Sequence, residues 1–168
     1  RLIDKIKNSR YANNTIIVLW SDHGMHMGEK ENIEKFTLWE RSTRVPLILS
    51  YPKMIKPGLR CDQPVSLMDI YPTLVELTGY EQPDHLDGQR LVPQIEDPSL
   101  LTSPVISSYQ FSWTEKPYAA HAVRSMNHRY IYYPDIGLEE LYDHQIDHNE
   151  WFNVAYKPEN KKIIENHR

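Results

Sequence analysis

The sequence predicts an α/β fold: a mostly parallel sheet flanked by helices, followed by a small antiparallel sheet packed with a C-terminal helix. Three observations carry this. Two apolar, β-branched runs lack alternation, as strands buried on both faces do. A well-punctuated amphipathic helix follows them. Beyond residue 104 the pattern changes to short strand-like runs around a tight turn.

The elements can be justified in chain order. Leu2, Ile3, Ile6 and Tyr11 mark an amphipathic helix ended by Asn13-Asn14. The first apolar strand is Thr15-Ile-Ile-Val-Leu-Trp20, and the second is Val45-Pro-Leu-Ile-Leu-Ser50, with Pro46 tolerable near a strand start. Between them, residues 21–44 are polar, glycine-bearing and rich in His, Lys and Glu. Ligands of open α/β sheets sit beyond the carboxyl ends of strands, so chemistry is expected in this segment. Asp69 to Gly79 forms a helix with Asp69 as cap, Pro72 in the first turn and Gly79 as terminator. Residues 81–103, with Pro83, Pro93, Pro98 and an Asp87-Gly88 turn, read as a connecting excursion. Strands are expected at 104–109, 119–125 and 129–133, the last two joined through Met126-Asn127-His128, and a final helix from Pro158 to His167. The expected division is residues 1–98 for the α/β part and 99–168 for the antiparallel part.

At 168 residues the chain is long enough to bury a core, and 40% hydrophobic with 25% charged residues is ordinary for a globular protein. The formal net charge of −4 and the lack of a basic stripe argue against nucleic acid. A polyanionic substrate would be held by locally placed cations rather than by the overall field. Cys61 is alone, so an intrachain disulfide is excluded, and its neighbours offer no metal-binding spacing. It reads as a minor loop thiol. No apolar run approaches the ~20 residues of a membrane span. Arg1 does not read as a natural start, and the chain is expected to be a piece of something longer. Asn13-Asn14-Thr15 matches a glycosylation acceptor but abuts a buried strand, which discounts it.

Ser21-Asp22-His23-Gly24, directly after the first strand, sets a hard oxygen donor beside an imidazole, with Gly24 permitting a tight turn. Two ligands are too few for a closed calcium site. On spacing alone, a capping Asp and a solvated His explain the pair better than a metal does. The following residues shift that balance. Lys30 in Gly28-Glu29-Lys30, and then Lys35, bring two ammonium groups near the pair, and cations beside a metal suit a sulfate or phosphate ester whose oxygens gain charge as the bond breaks. Taken singly, each Lys is more readily a solvated surface charge.

The order of the pieces is more specific than any one of them. Ser-Asp-His-Gly, Gly-Glu-Lys, Lys35-Phe-Thr-Leu-Trp-Glu40, Thr43-Arg-Val-Pro-Leu-Ile48, Val65 to Gly79, Asp87-Gly-Gln-Arg-Leu91, Glu140-Leu-Tyr-Asp143 and Asp147-His-Asn-Glu-Trp151 follow one another along nearly the whole chain. This series closely resembles the carboxy-terminal portion of type I sulfatases of the alkaline phosphatase superfamily, most of all the branch containing iduronate-2-sulfatase. The resemblance implies an alkaline phosphatase-like sheet, a sulfuric ester hydrolase, and a sulfated sugar such as a 2-O-sulfated uronic acid as substrate. It implies calcium bound by Asp22 and His23, and Lys35 contacting the sulfate, so that His23 and Lys35 carry the catalytic roles. Met25 and His26 are expected at the pocket mouth, against the sugar, with Lys30 also substrate-binding and Arg41 reading a uronate carboxylate. Arg44, just before a strand, and the tail aromatics Tyr132, Tyr133 and Trp151 are expected to be structural. Export to the periplasm, the exterior or the lysosome is the family's usual destination.

The family's nucleophile is a formylglycine made from Cys in Cys-x-Pro-x-Arg. Cys61 is followed by Asp62, Gln63 and Pro64 and lacks that spacing, and the paired Asp ligands of the family's first block are absent too. Half of the active site is therefore expected in an N-terminal partner segment, and the chain alone is expected to bind calcium poorly and to be inactive. Two rivals stand beside this reading. One is a phosphodiesterase or phosphonate monoester hydrolase of the same superfamily, and the other a non-catalytic calcium- or glycan-binding remnant.

Overall fold

The computed structural model describes residues 1–111 and 116–168. The chain divides into two compact units, Arg1–Asp22 with Pro46–Thr102, and His23–Val45 with Ser103–Arg168. The expected boundary near residue 98 thus falls four residues early. Residues 23–45, expected with the first part, belong to the second.

The first unit opens with helix α1 (Leu2–Lys7), shorter than its apolar pattern because the chain leaves helical geometry at Asn8 and Tyr11 lies outside. Strands β1 (Ile17–Trp20) and β2 (Leu47–Ser50) follow, with α2 (Glu40–Thr43) between them in sequence and belonging to the other unit. The two strands were expected in a parallel sheet. They instead pair with each other antiparallel, Ile17 opposite Ser50 and Trp20 opposite Leu47. No parallel pairing occurs among the described residues. An unbroken apolar run reports burial on two faces, not strand direction, and here even that burial is partial: Leu19 is 50% exposed and Ile48 58%.

Helix α3 (Ile70–Thr78) forms as its sequence signals require, but its entry differs in detail. The preceding 3₁₀ turn carries a capping box: the Ser66 hydroxyl accepts from Met68 N, and Asp69 Oδ2 accepts from Ser66 N at 2.8 Å. Asp69 Oδ1 accepts from Gln89 N at 2.7 Å, and the buried Thr73 hydroxyl relays Leu91 N to the Asp69 carbonyl. This ties the excursion of residues 81–103 to α3, and the excursion itself holds a short helix, α4 (Val92–Glu96). Gly88 is required here, because a Cβ would lie 2.1 Å from the Met68 carbonyl oxygen. Gly79 ends α3 at φ 75°, with Tyr80 N bonding back to the Val75 carbonyl. Cys61 is exposed, as a loop thiol would be.

The second unit is built on a four-stranded antiparallel meander, β3 (Val105–Phe111), β4 (Tyr118–Arg124), β5 (His128–Tyr133) and β6 (Leu138–Asp143). Ser125 N bonds the His128 carbonyl and closes the expected hairpin. Both sheet faces are covered. On one, Leu38 packs on Ala120, Ala122, Ile131 and Tyr142, with Trp39, Tyr109 and Tyr133 around them. The small alanines on β4 leave room for the 36–40 segment to lie against the sheet. On the other, Tyr130 and Leu141 pack against Ala155 and Ile164 of α5 (Lys161–His167), the expected terminal helix. Tyr133 is half-buried, as expected of a structural residue, whereas Trp151 is 52% exposed and Tyr132 is exposed. Among the described residues no helix is long and apolar enough to cross a membrane.

Candidate active site

The polar segment 23–45 leaves the end of the first unit at Asp22, which is exposed, and enters the second at His23. Gly24 is squeezed against the 41–44 turn: its N–H donates to the Ser42 carbonyl at 2.8 Å, and a Cβ would lie 2.0 Å from the Arg41 carbonyl oxygen. This crossing aims the His23 ring. Nδ1 lies 2.8 Å from the Gly24 carbonyl, which can only accept, so Nδ1 carries the hydrogen and Nε2 keeps its lone pair. Lys35 Nζ stands 2.9 Å from that Nε2, and donates to it. A ring whose far N–H is fixed by a backbone carbonyl is the arrangement of a metal-ligating histidine. The donor set of Asp22 and His23 therefore suits a divalent cation in type, and an ion taking the Nε2 lone pair would release Lys35 toward an anionic ligand.

His26, expected at the pocket mouth, is instead interior, and Lys30, expected against the substrate, is half-buried and held by the fold. His26 is 0% exposed, with Nδ1 at 3.2 Å from the Glu29 carbonyl and Nε2 at 3.0 Å from the Thr37 hydroxyl, and its ring meets Trp39 edge-on. Both nitrogens are committed to the fold, leaving none for a sugar. The Lys30 ammonium lies 4.5 Å from the Trp39 ring centre and 4.4 Å from that of Tyr142, and donates to the Tyr142 hydroxyl and the Glu150 carbonyl. Burial lowers its pKa, and the nearby charges of Glu140, Glu150 and Asp147 pull it back up. The sequence favoured a solvent-facing Lys30 because a Lys next to Gly-Glu in a polar loop carries no sign of an aromatic cage completed by Tyr142, more than a hundred positions away. Met25, by contrast, is 51% exposed. Arg41 is also exposed, with loose contacts to Glu29 at 3.4 Å and Asn149 at 3.5 Å. Arg44 pairs with Glu40 at 3.6 Å, in keeping with a structural role.

Beneath this segment lies a cluster that sequence reasoning missed. Glu150 is fully buried; its Oε1 accepts from Arg129 Nε at 2.6 Å and His144 Nε2 at 2.8 Å, and its Oε2 from Glu40 N at 2.7 Å. Arg129 also donates to the Leu38 carbonyl and to Glu40 Oε2. Arg124 donates to His144 Nδ1 at 3.1 Å, so His144 is neutral, with its hydrogen on Nε2 toward Glu150. Burial pushes the Glu150 carboxyl up, but the His144 hydrogen bond, the Arg129 charge and the Glu40 N–H together hold it below its ordinary value. Glu40 is likewise lowered, burial being outweighed by Arg129 and Arg124. Glu40, His144 and Glu150 have ligand-type atoms within 4.8 Å of one another. The carboxylate lone pairs already accept from Arg129, however, and the His144 lone pair from Arg124, so that two carboxylates face two guanidinium groups. The cluster is an ion-pair network in which Arg129 takes the place a metal would have. A third buried carboxylate, Glu140, accepts from Trp39 Nε1, Tyr142 OH and Tyr133 OH at 2.7, 2.6 and 3.1 Å. Glu40, Glu140 and Glu150 lay inside the motifs that carried the sequence resemblance, so the residues were visible while their partners were not.

A loop of this construction, seated on a C-terminal meander, defines a class: the sulfatase C-terminal region. The chain belongs to the family described as N-sulphoglucosamine sulphohydrolase, C-terminal, which matches residues 28–168. It is 42% identical to a sulfatase of Formosa agariphila over 98% of its own length, but spans only 31% of that relative. Among solved structures it is similar, at a TM-score of 0.85 and 28% identity, to a protein in complex with its substrate D-glucosamine-2-N,6-O-disulfate, covering 99% of this chain and 35% of that one. It is equally similar, at 0.85 and 25% identity, to a phosphonate monoester hydrolase of Silicibacter pomeroyi, over 99% of this chain and 35% of the other.

Proposed function

We propose that the full-length protein is a sulfuric ester hydrolase that releases sulfate from a sulfated sugar, and that this chain supplies its charge-stabilising wall. The observation that carries the reading is the 2.9 Å approach of the Lys35 ammonium to a His23 nitrogen that holds a lone pair. As the ester bond breaks, negative charge grows on the sulfuryl oxygens and the departing oxygen. A preset ammonium in a partly desolvated loop lowers that barrier more than it stabilises the ground state. Asp22 and His23 are the residues that would hold calcium, which when bound supplies a fixed positive charge beside the ester. With the ion in place, Lys35 would be available to the ester oxygens a short distance from His23, with Met25 and Arg41, both exposed, on the sugar side. The nucleophile is a formylglycine outside this chain, carried by an N-terminal segment of the catalytic domain. Export to the periplasm, the exterior or the lysosome accords with a glycan substrate.

The test is sulfate release by the full-length protein from a panel containing glucosamine 6-sulfate and a 2-O-sulfated uronic acid, beside a phosphonate monoester. Lys35→Ala is expected to lower kcat by about 100- to 1,000-fold. Retained turnover in that variant would remove the role given to Lys35. Faster turnover of the phosphonate than of every sulfate ester would move the protein to the hydrolase class of its Silicibacter neighbour.

A further inference from the structure

Residues 26–34 form a closed turn. His26 N bonds the Glu34 carbonyl at 2.9 Å, Gly28 N the Asn32 carbonyl at 2.9 Å, and Asn32 N the Glu29 carbonyl at 3.1 Å. His23 and Lys35 lie just outside its base, and Lys30 lies at its tip. The tip is strained: Lys30 and Glu31 adopt φ of 55° and 58°, in the left-handed region where a side chain is disfavoured. Such conformations persist only where the surroundings over-determine them. Here the surroundings are those of the Lys30 ammonium, gripped by two rings, the Tyr142 hydroxyl and the Glu150 carbonyl. Glu150 is itself left-handed, at φ 59°, while its side chain is locked by Arg129, His144 and Glu40. The turn is thus clamped at its tip to Tyr142 of the meander and to Glu150, and Lys35, just past its base, stands 2.9 Å from His23 Nε2.

We infer that Lys30 is a positioning residue: by anchoring the 26–34 turn to Tyr142 and Glu150, it sets where the Lys35 ammonium stands. The inference rests on the catalytic reading of Lys35 for its importance, but its geometry can be tested without it. Lys30→Met in the full-length protein keeps the chain's length and removes the cation. Crystal structures of this variant and the wild type are expected to differ by more than about 1 Å at Lys35 Nζ, and a displacement of that size lowers kcat by about 100-fold with KM little changed. Lys30→Arg, which retains a cation for the two rings, is expected to recover part of that loss. An unmoved Lys35 overturns the inference, even if the variant melts at lower temperature. A displaced Lys35 with undiminished sulfate ester turnover instead sinks the catalytic reading of Lys35 and leaves the positioning intact. If Lys30→Met does not fold, Tyr142→Phe, which removes only the hydroxyl that Lys30 meets, is read by the same displacement.

Discussion

Two polar clusters lie in the same unit and are built on opposite terms. Around Glu150, two carboxylates, two guanidinium groups and a neutral imidazole satisfy one another, buried except for a partly exposed Arg124. Around His23, a half-buried ammonium donates one hydrogen bond to an imidazole lone pair. The first arrangement has no charge to lend, and its removal should be felt in stability. The second is poised toward something outside the chain, and its removal should be felt in turnover. Position in sequence does not separate them: Lys30 and Lys35 are five residues apart and fall on either side of the divide.

The sharpest way to break this contrast is Arg129→Met. It leaves Glu40 and Glu150 buried with half their compensation, so unfolding of the full-length protein in urea should show a loss of about 3–5 kcal/mol. A loss under about 1 kcal/mol, the scale of an ordinary substitution, would mean that water reaches the cluster and that the two are alike. Acid should act on the same cluster. Glu40 and Glu150 are held below their ordinary value of 4.5 in the folded protein, so the stability they contribute is present above that value and lost as pH falls through their lower native values. Unfolding free energy should therefore decline below pH 4.5 in the wild type, and chemical denaturation across that range should show a shallower decline for Glu150→Gln. The smallest stability effect should come from Lys35→Ala, within about 0.5 kcal/mol of wild type, because the ammonium it removes is already in reach of water. A large loss there would place Lys35 with the structural cations and weaken its catalytic assignment.

How much of this was legible follows the same divide. The Ser-Asp-His-Gly turn, Lys35 and the α3 helix could be read because each is a local signal: a buried run followed by ligand-type residues, or a capped and terminated amphipathic stretch. Strand β6 was not read, since Glu139 and Glu140 break the apolar alternation, and only the three donors converging on Glu140 make its burial tolerable. The direction of β1 and β2 was not legible either, because apolar content constrains burial and not pairing sense. Arg129, Glu150 and the cage around Lys30 depend on contacts across 89 to 120 residues. No periodicity within one element encodes such a partner.

The crossing at Gly24 has a consequence for ligand affinity. Backbone packs on backbone there with no room for a methyl group, and the Gly24–Ser42 hydrogen bond closes the intervening residues into a ring that is already folded before any ligand arrives. On the proposed reading, a substrate entering beside His23 would meet a preorganised wall, and little of its interaction energy would be spent on loop ordering. Discrimination between related esters would then fall to the rigid fit of that wall rather than to an adaptive closure.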